Sequence, residues 1–352
     1  MYRGLQDVVS RNPELCESVI ELLYGHLVAL IGETVEVPLE KMVGEVDGEA
    51  VVVEPAGWFL HTVQAMVPQG QKQLEGENAE LLERLVAKLD RMVEHYAAAD
   101  PGDLGFDAGD SWDRKTKEGE RRYLKADVVL TIFEALIEYN ISFGGEGRDM
   151  GKCELLVQLQ SKHATLKAVM NEGISRKVKA GKKGKKGEEG GKKGEEGGKK
   201  GEEEVGGDKD KEVGGAGAGK RGRPGGAQDN KKFVHPGQAV SLKALSIIVN
   251  ALLKDRDPRR QAALALLRNN ESFSSWVLAL MTDKLKQVER SLGMTGDEGP
   301  NSDTTFRYLV NLVESLFQHT VALDETVGSA LIPAAEALLT LLKMLLVSFP
   351  RR

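Results

Sequence analysis

A single low-complexity run, Arg176 to Lys232, sets the terms on which the rest of the chain can fold. It opens with RKVKAGKKGKKGEEGGKKGEEGG and closes with GAGKRGRPGGAQDNKK, and Val178, Val205 and Val213 are its only branched aliphatic residues. Such a stretch has almost no apolar area to bury, and its glycines carry the largest backbone entropy that ordering would remove. It is expected to be disordered. The sequence on both sides is rich in Leu, Val and Ala at helical spacing. That predicts two separately packed helical bodies, residues 1–175 and 236–352, joined by a linker over 176–235.

Charge divides the chain in the same way. The run carries 18 Lys and Arg against 11 Asp and Glu, whereas the remainder carries 30 against 43, beneath a net charge of −6. The helical bodies are acidic and the linker is basic. Aromatic residues make up 5% of the chain, which favours Leu/Ala-rich helix packing over a β-sandwich. Cys16 and Cys153 sit in apolar helical patterns without C-x-x-C spacing or neighbouring histidines, and read as buried thiols in a reducing compartment. Arg3, Asp7 and Arg11 interrupt anything like a secretory h-region. The most apolar segment, Gly328 to Phe349, contains Pro333, Glu336 and Lys343 and reads as a core helix, not a membrane span.

Met1 already belongs to an apolar pattern with no capping residue before it, so the chain is expected to be an internal piece of something longer. Asn12 and Pro13 then open a second helix, completing an antiparallel hairpin. Asp47-Gly48, set between short valine runs, predicts one small β-hairpin within Lys41 to Glu54. Helix resumes after Pro55 and again from about Asn78 to Ala99. Asp100 to Gly119 is polar and glycine-bearing, and reads as an exposed loop. The segment from about Arg121 to Ile141 is apolar over much of its circumference and should be the most buried helix of the first body. A last helix, about Lys152 to Ile174, is expected to decay into the linker.

Beyond the linker, Ala239–Leu253, Pro258–Leu267, Ser272–Leu292, Asp303–Ala322 and Ser329–Phe349 all show spacing of three and four between short breaks. Successive amphipathic helices with short connections favour antiparallel pairs and, in number, an α-solenoid. No fixed period is present. The fold class is therefore all-α, an irregular solenoid of HEAT- or armadillo-like hairpins in two bodies.

Several of these stretches together resemble one family, that of the Fanconi anaemia group I protein. MYRGLQDVVSRNPELCESVIELL is similar to the family's hairpin LYEGFYDVLRRN followed by an SVMQTLL-like helix. FEALIEYNIS, from Phe133 to Ser142, resembles its CEVLIEYNFS. VSLKALSIIVNALLKD and ALALLRNNESFSSWVLALMTDKLKQV resemble its next two helical units, in the same order. The likeness covers nearly all of the helical sequence here, but only an internal part of the family protein: its second helical domain and the start of its third solenoid segment. It implies a nuclear scaffold that pairs with the group D2 paralogue, is monoubiquitinated with it, clamps double-stranded or branched DNA, and supports interstrand-crosslink repair.

The family's ubiquitin-acceptor lysine lies upstream of anything matched, so no lysine of this chain inherits that role, and the ubiquitination machinery would act through the full-length protein. The family's Ser-Gln cluster is also upstream, and this chain has no Ser-Gln or Thr-Gln dipeptide. The glycine-rich linker departs from the family's shorter basic junction.

Two basic motifs are candidate DNA contacts. Lys220, Arg221 and Arg223 lie in KRGRPG, an AT-hook-like core in which glycine lets the backbone approach a narrow minor groove whose potential attracts both guanidinium groups. Lys182, Lys183, Lys185 and Lys186, in KVKAGKKGKK, form an acid-free cluster suited to phosphates or to nuclear import. The same residues also fit a solvated charge run, partly neutralised by the KKGEEGG repeats. For catalysis the sequence offers little. His26, His61, His95, His163, His235 and His319 are scattered, there is no Gly-x-Ser-x-Gly, and Gly219-Lys220 lacks the glycine spacing and hydroxyl of a phosphate loop. No enzyme, cofactor or metal is expected, and no membrane. The residues alone also fit a DNA-binding protein acting through the linker hook, or a generic helical interaction scaffold with an inert spacer.

Overall fold

The computed structural model describes residues 2–32, 34–74, 76–107, 109–143, 150–185, 240–253, 258, 261–295, 302–322, 336, 338–343 and 345–346. Helix α1 (Tyr2–Arg11) closes where Asn12 donates from its backbone N–H and from Nδ2 to Val8 O, both at 2.9 Å. A 3-10 turn at Pro13–Leu15 leads into α2 (Cys16–Ile31), which ends at Gly32 with φ +58°. Residues α3 (Leu39–Met42), β1 (Val43–Val46) and β2 (Glu49–Val52) follow. The strands pair antiparallel, Val43 against Val52 and Val46 against Glu49, and Asp47 and Gly48 both take positive φ, 52° and 81°. Two left-handed residues in sequence make the hairpin turn that matches strand twist, so the Asp-Gly expectation is met.

Three long helices complete the first half: α4 (Ala56–Gln73), α5 (Glu77–Ala98) and α6 (Lys117–Phe143). α7 (Met150–Lys185) runs back along them. α6 is the centre of the molecule, and every residue from Val128 to Ile141 is buried. α4 approaches it so closely that a Cβ on Gly57 would sit 2.5 Å from Thr131 Cβ. Close-packed interiors leave no slack for that atom.

The 100–119 segment departs from its reading as an exposed loop. Leu104, Phe106 and Trp112 are buried, Phe106 and Trp112 stack at 6.1 Å, and the Trp112 indole donates to Asp107 O at 3.2 Å. Arg122 of α6 donates to Ser111 O at 2.8 Å. Trp112 in turn lies across Gly173 of α7. Two aromatic anchors among polar residues fasten the loop, and composition alone does not register them.

In the second half, α8 (Leu242–Leu253), α9 (Gln261–Arg268), α10 (Glu271–Thr295) and α11 (Ser302–Ala322) form an irregular array in which α10 and α11 both pack on α8. Asn270 Oδ1 accepts the Phe273 N–H at 2.9 Å and caps α10. Arg268 ties α9 to the end of α8 by donating to Leu252 O at 2.8 Å and Ala251 O at 2.7 Å, where helix carbonyls lack partners. Further helical residues at 338–343 bury Leu341 and expose Leu339 and Leu342, so this segment packs on one face only. Among the described residues no helix is long and apolar enough to cross a membrane.

The two halves are not separately packed. α8 lies on α6, α9 and α10 lie on α7, and the buried apolar residues of both halves form one continuous core. Helical periodicity tells that a face is buried but not what buries it. The α7 backbone also runs past the expected boundary at Arg176, as far as Lys185. Lys and Ala are good helix formers, extension of an existing helix avoids the nucleation cost, and basic residues suit a helix C-terminus.

Candidate functional site

The joint between the halves is built on α6, in the stretch Phe133 to Ser142. Glu134, Glu138, Tyr139 and Asn140 are all buried there and all engaged. Glu138 Oε2 lies 3.2 Å from His61 Nδ1 of α4 and accepts the Ser241 N–H at 3.0 Å. Ser241 Oγ itself accepts the Ala244 N–H at 3.2 Å, so one residue both caps α8 and hands its own N–H to the carboxylate. Burial alone would push the Glu138 carboxyl up. Hydrogen bonds from His61 and Ser241 and the His61 charge outweigh it and hold the group below the usual carboxylate range.

Around that point Glu134 sits 3.8 Å from His163 of α7, and the His163 ring meets Phe133 at 6.4 Å and Trp276 of α10 at 6.0 Å. Tyr139 donates to Asp90 Oδ1 of α5 at 2.9 Å, and burial drives its phenol further from ionisation. Asn140 Nδ2 donates to Lys152 O at 3.0 Å. A cavity of about 30 Å³ between Asn140, Lys152, Leu156 and the α8–α9 residues Ile248, Ala251 and Leu267 has space for about one water. This constellation positions helices. Its charged groups are occupied by each other, and it presents no substrate-sized space.

A larger open groove, about 800 Å³, lies between α3, β1, the 103–106 loop and the start of α6. Lys117, Arg121 and Lys125 line one wall at four-residue spacing. They face Glu45, at 2.9 Å from Lys117, and Glu40, which is 2.5 Å from Lys125 and 3.9 Å from Arg121. A hydrogen bond and the charge of Lys125 lower the Glu40 pKa. The basic row is thus matched by acids of the same chain, which is poor preparation for phosphate.

The sequence-derived contacts fall elsewhere. Lys182, Lys183 and Lys185 belong to the last turns of the α7 backbone, and their side chains lie outside the described positions. Lys186, Lys220, Arg221 and Arg223 lie outside the described residues. The four histidines with described surroundings are structural: His26 packs edge-on to Phe59 at 4.6 Å, His95 on Tyr96 at 5.2 Å, and His61 and His163 at the joint. Both cysteines are buried, burial raises the Cys16 thiol, and no cluster that could hold a metal occurs among the described residues. The buried carboxylates were missed, although Glu134 and Glu138, one turn apart on a helix apolar nearly all round, were a visible signal.

Comparison with known proteins follows the same division. The family described as FANCI helical domain 2 matches residues 1–171, and that described as FANCI solenoid 3 matches residues 239–351. The Fanconi anemia group I protein homolog of Mus musculus is 22% identical over 343 residues, an alignment covering 93% of this chain and 22% of that protein. The chain therefore spans about a fifth of the length of this curated relative.

Proposed function

This chain belongs to the Fanconi anaemia group I family, and from that membership we propose that it serves as a helical scaffold in a DNA-clamping repair complex with the group D2 paralogue. Membership of the family supports the coarse reading, a solenoid scaffold of the Fanconi anaemia pathway. The finer one is carried by a single observation: two helical units, residues 1–171 and 239–351, stand in the family's order along one chain. In this reading the protein works in the nucleus on interstrand crosslinks, presenting a rigid helical surface to the paralogue and to duplex or branched DNA. Ubiquitination belongs to the complete assembly.

The basic junction adds a second contact. Lys182, Lys183, Lys185 and Lys186 would meet phosphates, and Lys220, Arg221 and Arg223 an AT-rich minor groove, with residues 176–235 acting as a tether between 1–175 and 236–352. Titration of fluorescent duplex DNA at two salt concentrations, with the intact chain and with a chain that lacks residues 186–235 and carries Lys182→Ala, Lys183→Ala and Lys185→Ala, tests this division. Loss of binding together with its salt slope assigns DNA contact to the junction. Binding that survives assigns it to the helices. Absence of DNA binding in both, with no capture of the group D2 paralogue, would sink the clamp reading. An AT-rich preference that persists in Arg221→Ala/Arg223→Ala would remove the hook.

A further inference from the structure

The outward face of α2 has no partner among the described residues, and its residues follow the pattern of a helix-pairing seam. Cys16, Ile20, Leu23, Leu27 and Ile31 face inward and are buried against the first half. On the opposite side Leu15 is 40% exposed and Leu22 is 63% exposed, with Ala29 following at the same seven-residue interval. Ser18 and Gly25, also seven apart and exposed, alternate with them. Large and small residues alternating at three and four are what one helix offers another in a coiled-coil contact.

Gly25 is the second observation. It stands in the middle of an α-helix with a helical φ, and a Cβ there would meet nothing within 4 Å. A mid-helix glycine costs roughly 0.5–1 kcal/mol relative to alanine, and nothing among the described residues uses the space it leaves. A second helix crossing at that point would use it.

Charge supplies the identity of the occupant. Glu14, Glu17 and Glu21 are exposed along one side of the seam, and none has an ion-pair partner among the described residues. We propose that this face docks a basic amphipathic α-helix of a partner protein, apolar residues lying over Leu15, Leu22 and Ala29, and its Lys or Arg residues lying along the glutamates. Such a pairing would take its affinity from the apolar seam and its choice of partner from the charges.

Two labelled helical peptides of three heptads, both with Leu at the seam positions, one flanked by Lys and the other by Glu, serve as probes against the intact chain. The Lys peptide should bind saturably and at least about tenfold more tightly than the Glu peptide. Leu22→Asp should weaken it about tenfold although it adds a negative charge, Gly25→Met should do the same with no loss of helicity, and Glu17→Lys/Glu21→Lys should reverse the preference. Attraction to a merely acidic protein predicts the opposite for Leu22→Asp. Binding unchanged or tightened in that variant overturns the proposal, as does equal binding of the two peptides or no saturable binding at all. Leu22 is largely exposed, so the variant leaves the core intact, and circular dichroism checks this.

Discussion

Ser241 donates its backbone N–H to Glu138 Oε2 at 3.0 Å, and the same oxygen lies 3.2 Å from His61 Nδ1. One buried carboxylate oxygen thus joins α4, α6 and the start of α8 across a sequence separation of 103 residues. Removing a partner from a buried charged network leaves the others desolvated, a larger loss than the network's own net contribution.

Glu138→Ala is expected to destabilise the chain by roughly 3 kcal/mol in urea denaturation. The pH dependence has a definite sign. Because the folded carboxyl is held below its ordinary value of about 4.3, its stabilisation is fully present above that pH and is lost as pH falls through the folded value. The stability gap between the natural chain and Glu138→Gln should therefore narrow below about pH 4. A gap constant from neutral pH to acid would contradict this assignment.

Gly173 lies under Trp112, and a Cβ there would fall 2.0 Å from the indole Cδ1. Gly173→Ala should cost about 2 kcal/mol by displacing a ring that is also held by Asp107 O. Limited proteolysis should then cut within 100–116 faster than in the natural chain. An unaltered rate would show that the indole has space to yield.

Gly25 and Gly32 make opposite predictions. Gly25→Ala should raise the melting temperature, gaining roughly 0.5–1 kcal/mol of helix preference. Gly32→Ala should lower it, because φ is +58° where α2 ends. Calorimetry on both variants tests the pair, and a fall for Gly25→Ala would mean that the open space is filled within the chain.

The halves are predicted to stay together without their covalent connection. A protease site placed between Gly190 and Gly191 and cut in the folded protein should leave two fragments that co-elute in size-exclusion chromatography. Separate elution would show that the α6–α8 and α7–α10 contacts are too weak to hold alone.

What the sequence makes legible here is local. Asp47-Gly48 specifies its turn because only the adjacent strands are involved, and α6 declares its burial because few of its faces are polar. The first four helices beyond the junction announce themselves by spacing, within a few residues of their observed ends, whereas the ends read at Ser329 and Phe349 lie outside the described residues. What escaped depends on distant partners. Trp112 looks like one aromatic in a polar loop until α7 presents Gly173 beneath it. Glu138 looks like a charge on a helix until His61 and Ser241 arrive from elements far along the chain. The reach of α7 to Lys185 escaped for a different reason, since a glycine-bearing lysine tract has little core to bury but extends a helix already formed.

Every residue of α6 between Val128 and Ile141 is buried beneath other elements of the fold. Deuterium should therefore enter those amides only through events that open the whole chain, while the exposed surface of α2 exchanges by local fraying. The rate at which α6 takes up label would then measure the lifetime of the assembled core, and a substitution in either half would shorten it.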